Sequence, residues 1–176
     1  MGLAHLRVPE RALGTLRESY RTINHALLAG VRGLGVPAVL QPSAGGGGPP
    51  PSTTPCFQDP TEGEVVVDGR KLIGSAQYRQ RGVLLQHGSL LLADDQALLA
   101  GLSPGGESDA PEFPPAVLEE HCKPLPAWSE LIDALAEGWR RELSTPLCAE
   151  EPLPEEIDLA LRLQLAHSEV EWIWRR

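Results

Sequence analysis

The chain has 176 residues, 41% hydrophobic and 22% charged, which is the length of one domain with too much apolar content for wholesale disorder. A formal net charge of -9 excludes nucleic-acid binding driven by phosphate neutralisation, and polybasic membrane binding with it. The longest apolar run, Val83 to Ala93, is broken by Gln86, His87, Gly88 and Ser89 and does not span a bilayer. Met1–Glu10 lacks the basic start and apolar stretch of a leader, and three cysteines in no paired spacing suit a reducing compartment, so a cytoplasmic location is expected.

Residues 9–31 read as a helix, because Leu13, Leu16, Tyr20, Ile23, Leu27 and Val31 recur at intervals of three and four. Pro9 suits its first turn, and Gly33 and Gly35 stop it. Val36–Leu40 reads as a short strand. Gln41–Thr54, with GGGG running into PPP, reads as a flexible loop that buries too little to offset its ordering entropy. Beyond it the period changes. Glu64–Val67 is β-rich, and Asp68-Gly69 is a two-residue hairpin signal. Lys71–Gln77 and Val83–Leu92 follow as strands around the polar turn Arg79-Gln80-Arg81-Gly82. The apolar strands around Val65–Val67 and Val83–Leu92 are expected to expose an apolar sheet face. Asp94–Leu102 reads as a short helix capped by Asp94, and Pro104–Pro115 as irregular. Two helices close the chain, Ser129–Leu143 with Ser129 as cap and Glu155–Ala166 with Pro154 near its start. The Trp172–Trp174 pair reads as a core anchor at a helix end. No repeat is present, and the fold class is α+β.

The charge is uneven. Residues 69–93 hold four basic side chains, Arg70, Lys71, Arg79 and Arg81, and no acid, whereas residues 94–176 hold six basic against eighteen acidic. The basic stretch either attracts an anionic ligand or an acidic partner, or decorates solvent-facing strand positions. Lys71 is one of only two lysines against thirteen arginines, which points to a use for a compact ammonium at this position. A solvent-facing lysine is the bland alternative. Gly74 and Ala76 are small residues on alternate strand positions, where a ligand can approach the backbone. Cys56, at the end of the loop, is either a nucleophilic thiolate favoured by a basic neighbourhood or a small buried apolar residue. Cys122 and Cys148 lie in the acidic half and are poorer candidates. His87-Gly88-Ser89 interrupts an apolar strand, which packing alone rarely does; no second histidine or carboxylate stands at metal-ligand spacing, so no metal site is expected.

The segment CFQDPTEGEVVVDGRKLIGSAQYRQRGVLLQHGSLLL resembles the centre of the lipoate–protein ligase A and octanoyltransferase family, within the biotin/lipoate ligase superfamily. GRKLIGSAQ, the following R-x-x-G-V-L-L-Q-H-G-S and the upstream Cys-Phe carry the resemblance, which is weaker outside residues 56–92. It implies a mixed, largely antiparallel sheet with packed helices, biotin/lipoate protein ligase-like and incomplete, with residues 1–176 as a single partial catalytic domain. It implies that Lys71 contacts the activated acyl carbonyl or the phosphate of an acyl-adenylate, that Gly74 and Ala76 lie beside the acyl chain with Ser75 also binding substrate, and that His87 and Gly88 line the pocket. Cys56 matches the loop cysteine that carries an acyl-thioester in the cysteine-dependent octanoyltransferase branch. The implied reaction moves an octanoyl group from acyl carrier protein to a lysine of a lipoyl-domain protein without a cofactor. The alternatives are an ATP-dependent ligase using ATP and Mg²⁺, or a non-catalytic binding module. The Arg-Arg-x-Thr-Gly-Gly-type loop ending in a histidine, usual in the family's earlier half, does not occur before Cys56. The chain therefore resembles the family's later portion, and a companion subunit supplying the rest is a further expected partner.

Overall fold

The computed structural model describes residues 2–9, 11–43, 57, 59–94, 114–144 and 146–169. Cys56, most of the stretch 41–54, the residues expected as a helix after Asp94, nearly all of Pro104–Pro115 and Trp172–Trp174 lie outside them. In chain order the elements are β1 (Gly2–Pro9), α1 (Leu16–Gly33), β2 (Val39–Leu40), β3 (Val65–Val67), β4 (Arg70–Gln80) and β5 (Val83–Leu90). A 3-10 turn (Leu118–Glu120), α2 (Trp128–Leu143) and α3 (Pro154–His167) follow.

Two tight turns organise the sheet. Asp68 and Gly69 take positive φ of 51° and 74°, and Arg81 and Gly82 take 52° and 76°. Two successive left-handed residues make a type I′ turn, whose twist matches that of the strands it joins. β3, β4 and β5 are thus antiparallel hairpins, and because the second turn needs only two residues, β4 runs on past Gln77 to Gln80. β1 pairs with all eight residues of β5, giving the order β1-β5-β4-β3-β2 with every pairing antiparallel.

The helix expected from residue 9 begins at Leu16: Pro9 closes the edge strand β1, and a turn over residues 11–13 leads to the cap at Thr15. The local cause is a capping box. The Thr15 N–H donates to Glu18 Oε2 at 2.8 Å, and the Glu18 N–H donates to Thr15 Oγ1 at 3.3 Å. Ser129 likewise lies inside α2 rather than capping it; the Ala127 N–H is satisfied by Glu130 at 2.7 Å.

Ile23, Leu27, Leu28 and Val31 of α1 pack on Val65, Val67, Leu72, Ile73, Leu84 and Leu90 of the sheet. α2 lies against α1 where two glycines meet. A Cβ on Gly30 would stand 2.8 Å from the Leu135 backbone, and one on Gly138 would overlap the Ala26 carbonyl. Glycine here is what allows the close crossing. The apolar sheet face expected from Val65–Val67 and Val83–Leu92 is not exposed at the strand cores. Val65, Val66 and Val67 are fully buried, as are Leu84 and Leu90. Part of the cover comes from Ala116–Leu118, a stretch without periodicity that joins the same core and bonds its N–H groups to the Lys71 and Leu91 carbonyls.

The chain forms two compact units, Met1–Pro146 and Leu147–Arg176. In the second, α3 begins with Pro154, and its apolar side chains Ile157, Leu159, Leu161, Leu163 and Leu165 are exposed.

Candidate functional site

β4 carries the most informative irregularity. Val65 pairs with Ile73 while Val66 pairs with Lys71, so Leu72 is an extra residue on β4. In an unbroken strand Lys71 and Gly74 would point to opposite faces. The bulge sends both Leu72 and Ile73 into the core and leaves Lys71 and Gly74 side by side. A Cβ on Gly74 would lie 2.9 Å from Lys71 Cε and 3.3 Å from Phe57 Cζ, so the glycine makes room for the lysine stem.

Lys71 is not solvent-facing: it is 6% exposed. Its Nζ stands 2.8 Å from Glu64 Oε1 and 5.6 Å from the centroid of the Phe57 ring. Glu64 is itself 4% exposed, and its Oε2 accepts the Thr61 N–H at 2.8 Å. Its two oxygens are therefore fixed by different partners. The Lys71 carbonyl is held by the Ala116 N–H at 3.1 Å, so main chain and side chain are both anchored. Sequence assigned no role to Glu64, the first residue of an expected strand, or to Phe57, which entered only through the Cys-Phe pair of the resemblance. The available signals were an acid heading the run Val65–Val67 and an aromatic directly after Cys56.

The other expected residues divide between the two faces. Ala76 pairs with His87 in register, two positions along from Gly74, so both share the face of Lys71. His87 is exposed. Ser75 and Gly88 pair on the opposite face, beneath α1. There the Ser75 hydroxyl donates to Asn24 Oδ1 at 3.1 Å and accepts from Gln86 Nε2 at 3.2 Å. Gln77, Arg79 and Ser19 extend this polar layer, with Arg79 donating to the Ser19 hydroxyl at 2.7 Å. The Tyr20 phenol, over the Ser75 carbonyl, is held above its ordinary range by burial, which outweighs the opposing hydrogen bond to Ser75; the Glu64 charge raises it a little further. A cleft of about 1090 Å³ opens between α1 and the Ser75–Gln77 stretch; Lys71, Gly74, His87 and Gly88 do not line it.

The basic stretch is largely absorbed by the fold. Arg70 grips Glu120 with both terminal nitrogens and holds that carboxyl below its usual range, Lys71 faces Glu64, and Arg79 joins the polar layer. The image of four cations decorating solvent is corrected accordingly. Burial pushes the Cys122 thiol up, and it points at the Leu34 carbonyl. Among the described residues no three His, Cys, Asp or Glu side chains converge, and no helix is long and apolar enough to cross a membrane. The chemistry offered is a fixed, buried ammonium beside a small-residue patch, next to the chain end that leads into Cys56.

Comparison with known proteins bears on what that ammonium serves. The lipoyl protein ligase A/B catalytic domain matches residues 5–137. Octanoyltransferase LipM of Kyrpidia tusciae is 39% identical over 174 residues, covering 93% of this chain and 63% of the relative. The Symbiobacterium thermophilum LipM is 40% identical over 152 residues, covering 76% of this chain and 53% of the relative. The chain thus spans less than two thirds of either. A lipoate protein ligase structure from T. acidophilum with bound lipoic acid superposes with a TM-score of 0.70 at 17% identity, covering 97% of this chain and 63% of that one. A bi-partite lipoate protein ligase from Thermoplasma acidophilum gives 0.65 at 19% identity, covering 99% and 64%. Lipoate-protein ligase A bound with ATP also gives 0.65 at 19%, covering 97% and 62%. At these identities the structural matches show the fold.

Proposed function

Since the chain belongs to the lipoyl protein ligase A/B catalytic-domain family, we propose that it acts in protein lipoylation as an octanoyltransferase. Cys56 attacks the octanoyl thioester of an acyl carrier protein. Its S–C bond forms as the carrier's breaks, and the carrier thiol leaves with the proton. A neutral lysine amine of a lipoyl-domain protein then attacks the new thioester, an amide forms and the Cys56 thiol is released. Lys71 polarises the carbonyl in both steps, and donors of this kind are commonly worth about 3–4 kcal/mol in a transition state. Gly74, Ala76 and His87 lie on the acyl side, with Ser75 and Gly88 supporting that strand from behind. No cofactor enters this scheme.

The observation that carries the reading is the Lys71 ammonium, buried against Phe57 one residue after Cys56, in a chain 39% identical to an octanoyltransferase. The cytoplasm is the proposed location, and residues 1–176 are proposed to serve one catalytic domain. The bi-partite lipoate protein ligase among the structural neighbours supports a companion chain as a proposed partner. The ATP-bound ligase neighbour supports a second reading, in which Lys71 faces an acyl-adenylate made with ATP and Mg²⁺ and Cys56 takes no part.

The test offers the chain octanoyl carrier protein, or lipoate with ATP and Mg²⁺, each with a lipoyl-domain acceptor and with or without that companion. Acceptor labelling from the carrier, abolished by Cys56→Ala and untouched by Cys122→Ala or Cys148→Ala, is the expected result. Labelling only with ATP that survives Cys56→Ala establishes the ligase reading. Acceptor binding without labelling in any arm establishes a binding module.

A further inference from the structure

Glu64 takes no part in the reaction written above, yet it is removed from water to 4% exposure and fixed at both oxygens. We infer that Glu64 is a positioning residue of the site, whose carboxylate keeps the Lys71 side chain charged and held across Gly74 toward Phe57. For the reaction served, this rests on the octanoyltransferase reading; for the ion pair it rests on geometry alone.

A buried ammonium without a counter-charge gives up its proton, because burial penalises the charged form. A neutral amine cannot offer a full positive charge to a developing oxyanion. Something beside Lys71 must therefore pay for the charge, and among the described groups around it one carboxylate faces it. From β4 itself, Arg70 is turned to Glu120 of the 3-10 turn. From the segment before the 3-10 turn comes only the Ala116 N–H, directed at the Lys71 carbonyl. From α1, Tyr20 carries a phenol held above its ordinary range and so remains neutral. From Phe57 comes an aromatic face. Glu64 alone among these described groups brings a negative charge to the ammonium, at 2.8 Å. The Thr61 N–H prevents that carboxylate from turning away.

The composition supplies a direct experiment. The two lysines of the chain are Lys71 and Lys123, and Lys123 is exposed, so it is an internal reference. The whole chain is pulse-labelled with trace acetic anhydride across a pH series, and acetylation at each lysine is read by mass spectrometry. The midpoint of each curve reports titration independently of how well the reagent reaches the amine. In Glu64→Gln the Lys71 midpoint is expected to fall, raising neutral-pH labelling relative to Lys123 by about tenfold or more. Glu64→Asp keeps the charge but withdraws it by one methylene, and a smaller shift in the same direction is expected; it carries the test if Glu64→Gln does not fold. An unmoved Lys71 midpoint in the folded variant overturns the proposal. Octanoyl loading supplies a second readout: Glu64→Gln loses kcat toward alkaline pH and recovers toward acid, where Lys71 is protonated again. A uniform loss at every pH makes the role merely structural and overturns the proposal too. If the wild-type chain loads no octanoyl group while the Lys71 midpoint moves, the octanoyltransferase reading fails and the Glu64 assignment stands.

Discussion

Removing one partner of a buried ion pair strands the other. Lys71→Met leaves the Glu64 carboxylate buried beside an apolar side chain, and a loss of about 3–5 kcal/mol is expected. Converting Glu64 as well, in Glu64→Met with Lys71→Met, should restore most of it; urea unfolding of the three variants gives both numbers. Gly74→Ala separates the site from the fold. Its Cβ meets Lys71 Cε at 2.9 Å, the end of a flexible side chain, so the cost should stay below the roughly 1–3 kcal/mol of rigid overpacking while octanoyl loading falls. Tyr20 gives a pH signature. Its phenol is raised by burial, so its contribution is complete below the ordinary tyrosine range and is lost as the pH climbs through the raised value. In Tyr78→Phe, phenolate absorbance should follow that alkaline loss of stability, and adding Tyr20→Phe should abolish it. The sequence pointed to Lys71 and Gly74 because a rare lysine and a strand glycine are local oddities. Glu64 was invisible, since an acid ahead of three valines looks the same on a surface as in a core; only the pairing of β3 with β4 buries it.

Elements with a covalent-scale signal were legible, and those defined by distant partners were not. The Asp68-Gly69 turn has its expected conformation because two left-handed residues suffice to make it. β1 was missed because its identity comes from eight pairings with β5, some eighty positions away along the chain. The start of α1 was written in Thr15 and Glu18, three residues apart, but the apolar stripe drew the boundary back toward Pro9. The crossing of α1 and α2 predicts a contrast between two alanine substitutions. Gly138→Ala puts a methyl into the Ala26 carbonyl, which is rigid backbone, and should destabilise by about 1–3 kcal/mol or more. Gly33→Ala meets nothing within 4 Å at the end of the same α1 and should stabilise by about 0.5–1 kcal/mol. Thermal unfolding of the two variants, side by side, checks both signs.

Over the whole chain, charge and apolar surface are arranged differently from what composition suggests. Three of the four central cations, Arg70, Lys71 and Arg79, are engaged by groups of the fold, while Arg81 is exposed in the β4–β5 turn. Exposed apolar side chains are found on α3, not on the strand cores where they were expected: Leu161 is 54% and Leu165 73% exposed. Surface of this kind binds apolar dyes. Leu161→Glu with Leu165→Glu should lower dye fluorescence of the folded chain, while Leu85→Glu on β5, where exposure is 36%, should change it less. Equal effects would relocate the apolar surface to the sheet.

The extra residue at Leu72 makes the site depend on a count as well as on chemistry. Deleting Leu72 would keep the lysine, the glycine and the glutamate in the chain, in the same order and with the same neighbours otherwise. It would also leave the ammonium and the glycine gap on one side of the sheet, because the two would then stand two positions apart on an unbulged strand; the cost would fall on the core, where Leu72 is fully buried. In this part of the molecule the side a residue takes is set by the pairing as well as by the count, and ironing out the bulge with Leu72 retained is the change that would part the lysine from the glycine.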